Sequence, residues 1–196
     1  MRFTKQLAVA AIALAAACTH QVRPVPHLLA DSGDRLPLRA KYYLAPTERA
    51  RVHSDTYFAL GKAHTWNIEI GEALATSFPQ MLQTVFTSVA AASGPDDVQD
   101  ADVLLVPAIS KFDVTGGDFT STIEIRVRLA GSVPQAAIEE AFLGTPNEGK
   151  AGTAWWGGVF GGEGALRQSA EFAFDDVMPK IRARLKEVLA RQSPRT

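Results

Sequence analysis

The chain has 196 residues, of which 46% are hydrophobic and 21% charged, with a formal net charge of −1. This is enough apolar material for one core, and the charge is too small and mixed in sign to argue for nucleic acid or an anionic membrane surface as partner. Its single cysteine, Cys18, rules out an intramolecular disulfide, so packing must supply the stability.

Arg2 and Lys5 precede an uncharged run of 11 residues, Leu7 to Ala17. The junction Leu14-Ala15-Ala16-Ala17-Cys18 resembles the lipobox of bacterial lipoproteins, although Ala15 stands where that motif usually has Leu, Val or Ile. The resemblance implies a signal peptide over 1–17 and fatty acids, palmitate among them, on Cys18. Several acyl chains hold a protein on a bilayer almost permanently. Thr19, in place of Asp after the cysteine, implies the periplasmic face of the outer membrane. An ordinary secretory signal cut after Ala15-Ala16-Ala17 also fits and would leave a free thiol. A retained anchor fits less well, because crossing a bilayer as a helix takes about 20 residues. Loss of Arg2 and Lys5 from the 20 Lys and Arg leaves 18 against 21 Asp and Glu.

Residues 18–37 read as a flexible tether, broken by Pro24, Pro26 and Pro37 and by the turn-forming Asp31-Ser32-Gly33-Asp34. One domain follows over 38–192. A strand is predicted over 38–44, ending before Pro46. Strands over 52–60 and 65–70 make a hairpin around Gly61, the second marked by the alternation Trp66, Ile68, Ile70. Leu74, Phe78, Met81, Leu82, Val85, Phe86 and Val89 recur at helical spacing and predict a helix over 71–89, with a kink or a later start at Pro79. After a loop at 93–100, Val103-Leu104-Leu105-Val106 reads as a central strand covered on both faces. Gly116-Gly117-Asp118 predicts a turn. Ile123, Ile125, Val127 and Leu129, alternating with Glu124, Arg126 and Arg128, predict a strand with one wet face. Residues 137–143 follow as its antiparallel neighbour. The last helix, over 165–190, buries Leu166, Ala170, Ala173, Val177, Ile181, Leu185 and Leu189, with a second kink at Pro179. The sum is an α+β fold: a mostly antiparallel sheet of about 4–6 strands with two long helices on one face.

A tyrosine-bearing strand, a helix opened by Gly71-Glu72-Ala73-Leu74 and closed by Val85-Phe86-Thr87-Ser88-Val89, then Ala101-Asp102-Val103-Leu104-Leu105-Val106-Pro107 and an alternating charged strand form a wider pattern. It resembles the small proteobacterial outer-membrane lipoproteins of largely unknown function, over about 36–142 plus the last helix. Their αβ domain is similar to those of curli-secretion and polysaccharide-export accessory lipoproteins. The resemblance implies that fold and brings no catalytic residues. The segment 145–164 departs from the pattern.

Chemical motifs are sparse. Gly144-Thr145-Pro146-Asn147-Glu148-Gly149-Lys150-Ala151 nearly spells a phosphate-binding loop, but Ala151 lacks the hydroxyl that would hold magnesium. The Gly/Trp-rich loop at 144–164 sets Trp155, Trp156 and Phe160 among glycines, as a lid over the sheet, a partner contact or a membrane contact. Asp96, Asp97, Asp100 and Asp102 lack the glycine and glutamate of a calcium loop. His20, His27, His53 and His64 show no metal-ligand spacing. Glu139 and Glu140 point to opposite faces of a strand, and no serine sits in a nucleophile-elbow motif. The reading is a non-enzymatic outer-membrane lipoprotein without metal or cofactor, lipid-anchored through Cys18. It acts as adaptor or structural accessory of an envelope assembly or export complex, with an envelope protein or further copies of itself as partner. The alternative is a periplasmic carrier of lipid or a small ligand.

Overall fold

The computed structural model describes residues 18–27, 30, 33–59, 62–115, 119–131, 138–145 and 158–191. Its strands form two sheets. The larger holds β2 (Leu36–Tyr42), β5 (Phe86–Ala91), β6 (Val103–Thr115), β7 (Thr120–Gly131) and β8 (Ile138–Gly144), in the order β5-β2-β6-β7-β8. The smaller holds β1 (Cys18–Val22), β3 (His53–Ala59) and β4 (Lys62–Ile68), in the order β1-β4-β3. The described residues also form helices α1 (Pro46–Arg49), α2 (Ile70–Gln83) and α3 (Gly158–Ala190). The α+β class is as expected, but the predicted hairpin β3–β4 belongs to a sheet of its own. Parallel pairs also occur: β2 runs parallel to both β5 and β6, and β1 parallel to β4.

The core forms where two periodicities meet. On β7, Ile123, Ile125, Val127 and Leu129 are buried while Arg126 is exposed. On α3, Leu166, Ala170, Ala173, Phe174, Val177, Ile181, Leu185 and Leu189 make one apolar stripe and join them in a single cluster. Each large side chain so buried contributes about 1.5–3 kcal/mol. Gly144 lets β8 end directly on α3: a Cβ there would overlap the Ala173 carbonyl oxygen and lie 2.9 Å from both Ile123 and Val177.

Strand β6 shows how a proline enters the middle of a sheet. The Leu105 carbonyl accepts the Tyr43 N–H at 2.9 Å, and beyond this point β2 leaves the sheet. The next residue facing that side is Pro107, which has no N–H to leave unpaired. At Ile109 the side chains of the α1 region replace the missing strand: Glu48 accepts the Ile109 N–H at 3.0 Å, and Arg51 donates to the Ile109 carbonyl. A bulge then inserts Ser110 between the pairs Ile109↔Ile125 and Lys111↔Glu124. The extra residue shifts the alternation by one, so that Ile109 and Phe112 both face the core.

Two predicted elements end elsewhere. Helix α2 stops at Gln83 in place of 89, and Phe86–Ala91 is strand β5. The Thr84 N–H and hydroxyl both turn back to the Met81 carbonyl, at 3.0 and 2.7 Å, and Val85 N–H bonds Leu82. That closes the helix, and the following Val-Phe-Thr-Ser-Val suits a pleated edge. Pro79 lies inside α2, so the helix does not start late.

The second correction concerns 18–37, read as a flexible tether. Residues 18–22 are a strand, and the following segment is tied along α3. Prolines 24 and 26 are buried, and between and after them the N–H groups of Val25 and His27 donate to Glu171 at 3.0 Å and Asp175 at 2.8 Å. Further on, Arg182 donates to the Ala30 carbonyl at 3.1 Å and Lys186 to that of Asp34. An extended proline-rich chain has no internal partner for its backbone. Here α3 supplies them, with acids toward its first half and bases toward its second.

Candidate functional site

At the head of β1, Cys18 stands opposite His64 of β4, and the register continues His20↔Trp66 and Val22↔Ile68. His20 Nε2 lies 3.1 Å from His64 Nδ1, within a hydrogen bond, and the His20 ring stacks on Trp66 with centroids 4.0 Å apart. Trp66 is buried and in turn meets α3 where Gly162 leaves room; a Cβ there would sit 3.2 Å from the indole edge. Beside it, the Ser121 N–H donates to Ser169 of α3 at 2.6 Å. One end of the domain thus gathers the start of β1, the end of β3 and start of β4, the end of β6 and start of β7, and the start of α3.

The expected binding residues divide. Cys18 lies at this end, as the first residue of β1. Trp155 and Trp156 lie outside the described residues, and Phe160 lies in the first turn of α3, its side chain likewise outside them. The near phosphate loop begins with Gly144 closing β8. Thr145 then gives its N–H to the Asp176 carboxylate at 2.9 Å; the rest of that motif is outside the described residues.

The acidic loop does not converge. Asp97 takes Ser93 N–H and Lys41, at 2.9 and 3.0 Å, and these hold its carboxyl well below the usual range. Asp102 is lowered by its pairing with Arg39, and Asp96 reaches Arg128 at 3.4 Å. Glu139 pairs with Arg126, whereas Glu140 pairs with Arg184 of α3 at 2.8 Å, on the two faces expected of strand neighbours. His27 is spent on Asp175. His53 sits half-buried against Phe112, its imidazole pushed down by burial and its Nε2 without a hydrogen-bond partner. Among the described residues no three His, Cys, Asp or Glu gather as a metal set. The His20–His64 pair alone falls short of the three or four protein ligands that zinc takes.

Sequence reading missed two features. His20 and His64 are 44 residues apart and meet only because β1 pairs with β4. The strap on α3 had a legible signal, Glu171, Asp175, Arg182 and Lys186 on one helical stripe, but no sign of what it holds.

No family model and no curated protein matches this sequence. Among solved structures, the chain is similar to protein XCC0632 from Xanthomonas campestris, of family DUF330. The TM-score is 0.56 at 13% identity, covering 90% of this chain and 99% of that one. A weaker similarity is to the PelC dodecamer from Paraburkholderia phytofirmans, with TM-score 0.33 at 12% identity, covering 76% of this chain and 92% of that one. The first of these likenesses shows the fold.

Proposed function

We propose that the chain is a non-catalytic lipoprotein of the outer membrane, anchored through Cys18 on the periplasmic face, whose αβ domain serves as adaptor or structural accessory in an envelope complex. The observation that carries this reading is that Cys18, the residue following the uncharged run Leu7 to Ala17, is itself a paired residue of strand β1, opposite His64. The pairing of Asp96, Asp97 and Asp102, and of Glu139 and Glu140, each with a cation supports a structural role for those carboxylates.

The partner surface is the outer side of β5, the end strand of the larger sheet among the described residues. Its sequence Phe86-Thr87-Ser88-Val89-Ala90-Ala91 has no charge and no proline, the devices that normally guard an edge. The other end strand, β8, carries Glu139 and Glu140. Trp155, Trp156 and Phe160 make a second contact of the same complex. The carrier alternative finds a recess between β7, β8 and α3 lined by Val127, Leu129, Phe142, Leu185 and Val188, but its volume of about 20 Å³ is room for one water.

The test is detergent pull-down of the full-length protein from envelopes, with fatty-acid labelling. Cys18→Ser should lose the label and leave the membrane. Ser88→Glu, which puts a charge on the edge beside Arg39, should lose the co-purifying protein without loss of fold. An unchanged eluate for Ser88→Glu and for the double variant Trp155→Ala, Trp156→Ala would refute the adaptor role, and a stoichiometric lipid in its place would establish the carrier.

A further inference from the structure

We infer that the domain stands on the bilayer by the end that holds Cys18, with α3 directed away from the lipid and no slack chain between anchor and fold. The inference rests on the envelope reading above, though not on acylation alone: the apolar run 7–17 ends at residue 18, so an acyl chain or a retained leader each puts that residue at the lipid surface.

The direction follows from what lies after it. Cys18 is itself paired, with His64, so an anchor on Cys18 joins directly to a strand of the fold. The described residues of 18–34 then lie along α3: His20 on Trp66 beside Gly162, Val25 and His27 on Glu171 and Asp175, Ala30 and Asp34 on Arg182 and Lys186. α3 therefore starts at the lipid and ends far from it, with Glu163 and Arg191 separated by about 40 Å at 1.5 Å per residue.

The surface at the near end is suited to this. Thr19, Thr65 and Thr56 are register partners in one row across the smaller sheet, and Thr115 and Thr120 pair at the β6–β7 connection. These neutral groups approach a headgroup layer without stripping water from a charge, and the charged positions beside them, Lys62 at the start of β4 and the exposed Lys111–Asp113 pair, stay within reach of the polar headgroups. At the far end the charged pairs Arg39–Asp102, Lys41–Asp97 and Lys186–Asp34 gather. β5 pairs with β2, whose start lies at that far end, so its edge faces partners above the bilayer.

The test uses the lipidated full-length protein in vesicles of phosphatidylethanolamine and phosphatidylglycerol. Cys18 is the only native thiol and is consumed by the lipid, so Glu163→Cys and Arg191→Cys each accept one nitroxide. Relaxation by nickel chelated on lipid headgroups should be several-fold stronger at 163 than at 191. Should Glu163→Cys fold poorly, Arg167→Cys replaces it one turn further along. Equal relaxation at both sites, with Cys18 shown by mass to be acylated, would overturn the orientation while leaving the lipid anchor intact. An unacylated protein that stays off vesicles would instead remove the anchor, and the inference with it. A Gly/Ser linker of about a dozen residues inserted after Cys18 should abolish the difference; a difference that survives the linker would refute the strand as its cause.

Discussion

Asp175→Ala tests whether the segment after β1 is a strap or a tether. Asp175 accepts the His27 N–H at 2.8 Å on one oxygen and faces His27 Nδ1 at 2.6 Å on the other, with its side chain only 25% exposed. A hydrogen bond to an ionised group in such a place is worth about 1.5–3 kcal/mol. The imidazole contact adds little, because that ring is 72% exposed. A loss of about 2 kcal/mol corresponds to about a 30-fold change in an opening equilibrium. The informative amide is Val25, whose own acceptor, Glu171, is untouched by the substitution. If the segment opens as one unit, hydrogen exchange at Val25 should speed up by about that factor, while the amides of β7 keep their protection. Arg182→Ala, which removes the bond to the Ala30 carbonyl, should act on Val25 in the same direction. A Val25 amide already unprotected in the parent protein, or one indifferent to both changes, would return the segment to the tether of the sequence reading.

Gly144→Ala should destabilise by roughly 1–3 kcal/mol, since the new methyl would collide with the α3 backbone at Ala173. Gly94→Ala, with nothing within 4 Å, serves as the neutral control in the same thermal melts; equal behaviour of the two would contradict the close approach of β8 to α3. His53 has its imidazole pushed below the ordinary value of 6.5, chiefly by burial. As pH falls below 6.5 the unfolded chain takes up this proton first, so stability is lost over the window down to the folded value and is fully present above 6.5. Denaturant titrations from about pH 5 to 7 should show a shallower pH slope for His53→Gln than for the parent, and identical slopes would show that the ring titrates as if exposed.

Much of the architecture could be read from local pattern, because local pattern reports which face of an element meets the core. The alternation Ile123, Ile125, Val127, Leu129 marked β7, and the stripe from Leu166 to Leu189 marked α3. What failed was of another kind. Val85, Phe86 and Val89 fit a helical repeat as well as a strand, and only the free flank of β2 decided for β5. The prolines at 24 and 26 deny the segment any secondary structure of its own, which from sequence is indistinguishable from flexibility; the partners that order it lie about 150 residues away, on α3. Pro107 lies within β6 on the flank that β2 has left, where it has no N–H to leave unpaired, and Glu48 and Arg51 satisfy Ile109 two residues on.

The same division holds for the site. By itself, the sequence determined which faces of β7 and α3 turn inward and that there is apolar material for one core, and it gave the expectation of a leader ahead of Cys18, since these depend on composition and on residues close together in the chain. Only the tertiary structure decided that Cys18 opens a paired strand, that His20 meets His64, and that the N-terminal segment lies along α3. Each of these is a contact across 44 residues or more in sequence, and the order of side chains shows the groups that could bond but not which distant partner the fold brings to them.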